Sequence, residues 1–364
     1  MKNIMVLVIA LLTGTSHVYA NTEFESVFVT TGFWTDANEA EHEFLYSLDL
    51  TADHHFDEFG LFAWAEYSRT PKPFGISNLF GNTSGDAGTT ASGTGNGRLQ
   101  LSSLFFHTLD KKADYQWQVG LIEVSTLIDT SSISNDEVSQ FLSSTFVNNL
   151  TINFPDYALS ARLEAHDWLQ DSVVRLVVSS GMGMSDSESA TYSEAFDVFE
   201  TNNGVFYAAE ILHQQADWLL NAGYWRNTNH ALREADNTTP AQWHESGSGY
   251  WLGAERPIGE GTIHFRFGSA NVDETGSVAV NNEITQFSSI SWQQPLTMPG
   301  VSNATASIGY ADMQTVNGDE QHIEGYIRFS VLDELYLSPS FQWLQTQEAD
   351  GAVMIWGIRT EFWF

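Results

Sequence analysis

In Leu159-Ser160-Ala161-Arg162-Leu163-Glu164, apolar residues alternate strictly with Ser160, Arg162 and Glu164. The same rhythm sets Ile263, Phe265 and Phe267 against His264 and Arg266, and Ile323, Ile327, Phe329 and Val331 against His322, Glu324, Tyr326 and Arg328. Near the end of the chain it sets Ile358 and Phe362 against Arg359 and Glu361. Arg175, Trp64, Glu66, Trp225 and Trp251 fall on the same polar parity. Guanidinium forks and carboxylates can grip vicinal hydroxyls through charge-assisted hydrogen bonds, and an indole face accepts the apolar face of a pyranose ring. A wall carrying this set suits a neutral sugar. The plainer reading is that the charges pair with one another to hold the wall and merely set an ion preference.

Other chemistry finds less support. Asp53-His54-His55 has metal-ligand residue types, but it falls in a predicted short turn with no further ligand nearby, so solvated polar residues are expected there. No Ser, His and acid can be nominated as a catalytic set, because serines are many and histidines scattered. The run "GNTSGDAGTTASGTGNG" (81–97) lacks the lysine of a phosphate-binding loop and reads as a mobile surface loop. The chain has no cysteine, which removes thiolate metal sites and disulfides. No cofactor, metal or enzymatic activity is expected.

The elements that must carry these residues follow from the period of two, which marks strands with one apolar and one mixed face. Strands are predicted near 24–34, 42–50, 59–68, 98–108, 114–123, 157–165, 172–181, 204–211, 217–227, 248–255, 261–269, 285–294, 303–312, 321–331, 334–345 and 352–364. About sixteen strands of about ten residues match a transmembrane antiparallel β-barrel, an all-β fold. The gaps alternate long and short, as outer loops and periplasmic turns do. A soluble β-sandwich shares the alternation but has no reason to sort its loops. An arginine facing the bilayer midplane would cost about 2–4 kcal/mol, so the five arginines must point into the lumen.

Compartment and partners follow the same logic. Met1-Lys2-Asn3, the apolar run Ile4–Leu12 and Val18-Tyr19-Ala20 read as a secretory leader cut near Ala20, leaving an outer-membrane domain over 21–364. The net charge of −32 argues against nucleic acid as a partner. The ending "IRTEFWF" places Phe364 on the lipid parity, where a terminal aromatic resembles the signal by which the barrel assembly machinery recognises its clients. Outer-membrane lipid and neutral sugars as permeants are the other expected partners. Oligomeric state stays open, because a subunit contact and a lipid-facing strip have the same composition.

Segment 124–156 is too long for a connection. Ser134-Asn135-Asp136-Glu137 fits a capping box, with Val138, Phe141, Leu142 and Phe146 following at helical spacing. The expectation is a short amphipathic helix folded inward against the lumen wall, with Ser134, Asp136, Glu137 and Phe141 narrowing the pore; a helix packed on the rim is the alternative.

Several stretches resemble the carbohydrate-selective porins of the OprB type: "GRLQLSSLFF" (97–106), "VGLIEVSTLIDTSSISNDEVSQFLSSTFVNN" (119–149), "FPDYALSARL" (154–163), "AGYWRNTNH" (222–230) and "IEGYIRFSVLDELYLSPSFQWL" (323–344). The resemblance implies a sixteen-stranded barrel with an inward loop and a channel favouring sugars, and no catalysis. Arg162, Asp136 and Glu137 lie within the matching motifs. The alternative is a general, cation-preferring porin, motivated by the acidic balance.

Overall fold

The computed structural model describes residues 21–364 apart from 87–88, 91–96, 167, 169, 185–191, 193–203, 229–231, 234–241, 244–246, 272–283, 302, 316–317 and 347–350. Sixteen antiparallel strands close into one barrel. They are β1 (Thr22–Thr35), β2 (Glu43–His55), β3 (Phe59–Ser68), β4 (Gln100–Thr108), β5 (Tyr115–Ile122), β6 (Ala158–His166), β7 (Ser172–Ser180) and β8 (Val205–Gln215), followed by β9 (Trp218–Asn227), β10 (Gly247–Ile258), β11 (Gly261–Ala270), β12 (Ile284–Pro295), β13 (Ala304–Thr315), β14 (Gly318–Leu332), β15 (Leu335–Gln345) and β16 (Ala352–Trp363). A two-stranded ribbon, Leu232–Arg233 with Gln242–Trp243, sits in the loop between β9 and β10. Each barrel strand pairs with its sequence neighbours, and β1 closes on β16 from Val27↔Trp363 to Thr35↔Ile355.

The alternation places side chains as expected. Trp356, Ile358 and Phe362 of β16 stand exposed on the outer wall, whereas Arg359 and Glu361 between them are buried inside. Leu163 and Leu176, or Phe265 and Ile290, extend the same apolar band around the barrel. In water such a surface would be costly; against lipid it is the favoured state. No described helix is long and apolar enough to cross a membrane, so the crossing is made by strands. Phe364 lies on the outer side, its ring stacked on Phe362 at 5.6 Å and its amide bonded to the Ser26 carbonyl.

Strand bounds shift where polar side chains hide the ladder. Asp53, His54 and His55, expected in a turn, are the end of β2, because polar Thr22 and Glu23 of β1 pair with His54 and Asp53. At the rim the backbone ladder needs no apolar side chain to continue, so hydropathy ends before the strand does.

Candidate pore constriction

The inward loop is real, but it is not the helix that the spacing suggests. Between β5 and β6 the backbone makes a short 3₁₀ turn at Val124–Thr126 and a single helical turn at Ser144–Val147, capped by Ser143, whose side chain accepts from the Thr145 amide. Asp136, not Ser134, caps the turn at 136–140, accepting from the Val138 and Ser139 amides. The reason is competition for backbone groups. Arg359 Nη1 and Nη2 take the Glu137 and Gln140 carbonyls at 2.8 and 2.9 Å, and Glu324 accepts the Leu142 and Ser143 amides at 2.7 and 3.0 Å. Those are the groups a continuous helix would pair internally.

Apolar residues of the loop dock on three sectors of the wall. Val124, Leu127, Ile128 and Ile152 pack with Phe206, Trp225 and Trp251. Phe141, Phe146 and Val147 pack with Phe287, Met313 and Tyr326. Leu142 joins Phe33, Leu45, Leu344 and Ile355. Burying each large side chain contributes about 1.5–3 kcal/mol. Gly268 and Gly309 make the close approach possible. A Cβ on Gly309 would stand 2.6 Å from Phe146, and one on Gly268 would stand 2.1 Å from the Thr151 hydroxyl. Trp225 and Trp251 are thereby buried under the loop and offer no free face to a sugar.

Charged wall residues finish the clamp. Arg266, 2% exposed, donates to the carbonyls of Phe146, Asp129 and Ser134 at 2.8–3.1 Å and ion-pairs with Asp129 at 2.7 Å. Burial pushes the Asp129 carboxyl up to about 7 despite Arg266 beside it. Glu210 accepts the Asp129 amide at 3.0 Å, and Glu255 accepts the Ser132 amide at 2.9 Å. His322 is bonded to Thr145 at 3.1 Å and to Gln342 at 3.2 Å. Phe141 is fully buried between Phe146 and Tyr326, and Ser134 and His264 are also buried.

The second outer loop joins the plug. Gly85 donates to the Leu142 carbonyl at 2.7 Å, Gln342 donates to the Thr83 carbonyl at 2.8 Å, and Ser143 bonds the Asn82 carbonyl. The described part of 81–97 is therefore not a free surface loop. Thr90 is buried against Ser68 by mutual hydrogen bonds.

What remains toward the lumen separates into two levels. At the loop, Asp49 and Glu66 face one another across β2 and β3, within electrostatic reach of Asp86, Asp136 and Glu137. Trp64 donates to Asp49 at 3.1 Å and meets the Tyr157 ring edge-on at 6.0 Å. Glu66 accepts from Gln100 and Ser102. Burial, then the Asp136 and Asp86 charges, push Glu137 up to about 8, and burial pushes Asp86 to about 6. Nearer the periplasm, Glu164, Arg175 and Glu210 form a cross-strand row, with Arg175 2.7 Å from Glu164 and 3.1 Å from Glu210. Arg162 and His166 flank Glu164 at 3.5 and 2.9 Å, and Asp53 pairs with His107 at 2.9 Å. Arg328 forks onto Glu361 at 2.6 Å and lies 3.7 Å over the Tyr336 ring, while Arg359 reaches Glu361 at 3.3 Å.

The structure thus brings the sequence-selected residues into one lumen but divides their tasks. Arg266, Arg359 and Glu324 hold the loop, while Trp64, Glu66, Arg162, Glu164, Arg175 and Arg328 line what it leaves. Glu210, Glu255 and Asp129 escaped the sequence reading. Glu210 shares its parity with apolar Phe206 and Ala208, so its face was ambiguous.

No family model matches the chain, and no curated protein sequence does. Among solved structures, the high-pH structure of Pseudomonas putida OprB superposes with a TM-score of 0.71 over 97% of each chain at 12% identity. This is the barrel fold of an OprB-type porin. The loop-L8 deletion form of OmpT from Vibrio cholerae superposes at 0.55, with 11% identity over 94% of this chain and 99% of that one. A mutant of the Rh. blastica porin gives 0.56, with 8% identity over 94% and 100%. The OprB-type fold also agrees with the motif resemblance and with the inward loop.

Proposed function

We propose that the chain is a passive outer-membrane channel that admits neutral sugars through the space between the inward loop and the β2–β3 wall. The observation that carries this reading is the Trp64–Tyr157 aromatic corner beside Asp49 and Glu66, at the level of the loop. An indole edge flanked by carboxylate acceptors fits a ring that is apolar on its face and hydroxylated at its rim. Below it, the row of Arg162, Glu164 and Arg175 offers donors and acceptors to the same solute as it leaves. Binding has to be weak, because conduction requires release as much as entry. No bond is made or broken in this process, and no cofactor takes part. Liposome swelling with glucose, maltose and amino acids of similar size tests it: faster swelling with sugars supports the reading, and equal rates overturn it.

A general, cation-preferring porin is the second reading, favoured by one observation. The lumen arginines are each engaged with carboxylates or loop carbonyls, whereas Asp49, Glu66, Asp86, Asp136 and Glu137 gather at the constriction. Reversal potentials across a salt gradient, measured without sugar, read that preference directly.

A further inference from the structure

The outer wall carries a feature that pore function does not use. Across β16, β1 and β2, near the extracellular ends of the strands, the apolar band is interrupted by a groove of about 610 Å³. Its floor is Thr30, Gly32 and Thr360, and its sides are Trp34, Phe44 and Ile358. The two threonine hydroxyls satisfy each other at 2.6 Å, so the floor asks no polar partner of an occupant. Gly32 lets the Trp34 ring lie flat, since a Cβ there would stand 2.9 Å from it. Trp34, Phe44 and Ile358 each leave about two fifths or more of their surface uncovered.

The extracellular end of the groove is cationic. Arg69 donates to the Phe44 carbonyl at 3.0 Å, and Lys72 stands 3.4 Å from Glu41. Glu43, the other acid at this end, turns inward and spends its carboxylate on the Lys72 and Ser77 amides, both at 2.9 Å. Among the described residues, no carboxylate lies within ion-pair distance of Arg69. In a chain of net charge −32, an unneutralised arginine at the lipid boundary is conspicuous.

We infer that this groove docks an outer-leaflet lipid, with one acyl chain along Trp34, Phe44 and Ile358 and an anionic phosphate of its headgroup on Arg69 and Lys72. The occupant must be apolar at membrane depth and anionic at the interface within one molecule, which is the chemistry of a phosphorylated glycolipid. The inference rests on the outer-membrane placement of the barrel and is independent of what the pore conducts.

Native mass spectrometry of the full-length barrel in detergent tests it, with bis-phosphorylated lipid A and the same lipid A stripped of both phosphates as probes. The wild type should retain the phosphorylated lipid about tenfold more than the stripped one, as expected for two charge-assisted contacts. Arg69→Ala with Lys72→Ala should abolish that preference. Arg226→Ala, at an exposed arginine on β9 away from the groove, should leave it intact. Equal retention of the two lipids by the wild type overturns the inference, and this comparison stands even where the double variant fails to fold. Undiminished preference in a folded double variant also overturns it, as does a stable oligomer, lost in that variant, that forms in place of the lipid adduct.

Discussion

At the scale of single residues, the arginines matter for what they hold. Arg266 satisfies three loop carbonyls and the buried Asp129 carboxylate. Arg266→Met should destabilise the barrel by about 3–5 kcal/mol, the range for leaving one partner of a buried pair uncompensated. A lower unfolding temperature by circular dichroism, with a larger single-channel conductance as the loop lifts, checks it; unchanged values for both would contradict the clamp. Parity in the sequence was sufficient to send Arg266 and Arg359 to the lumen, since lipid excludes a guanidinium. It could not say what they touch there, because Phe146 and Glu137 lie 120 and 222 residues away along the chain. The same limit hid the burial of Trp225 and Trp251 under the loop.

At the scale of elements, the inward loop decides the pore. Gly309→Val would force its new side chain into the Phe146 ring, so the loop should seat poorly and conductance should rise, with single-channel recording as the check. Deleting 132–148 should raise conductance further, and an unchanged conductance would sink the constriction. The loop acids give a pH dependence. Carboxyls raised to about 6 at Asp86 and about 8 at Glu137 are neutral below those values and charged above them. Cation preference should therefore climb between pH 5 and pH 9, read as a growing reversal potential across a salt gradient; a flat profile would mean these groups do not face the ion path. The apolar residues of the loop were legible in the sequence, and so was its length. Its backbone was not, since the helical spacing of Val138, Phe141 and Leu142 is genuine, yet Arg359 and Glu324 draw off the carbonyls and amides a helix would use.

At the scale of the whole molecule, a closed barrel explains why a chain with so few cations places several of them inside. Lipid admits the apolar parity, the lumen takes the charged one, and closure of β1 on β16 leaves no open edge. Strand number, loop sorting and the parity of nearly every strand could be read from alternation. Strand ends could not where the rim is polar, as at Asp53-His54-His55. The chain's acidity then bears on the pore through the few carboxylates that the loop gathers opposite Asp49 and Glu66.

The most direct test of the sugar channel is a planar-bilayer recording with maltose added to one side. The account predicts that conductance falls in a saturable, concentration-dependent way and that Trp64→Ala weakens this block about tenfold, as expected for loss of a stacking contact of ~1–1.5 kcal/mol. Conductance that maltose leaves unchanged, or lowers equally in wild type and Trp64→Ala, would contradict it.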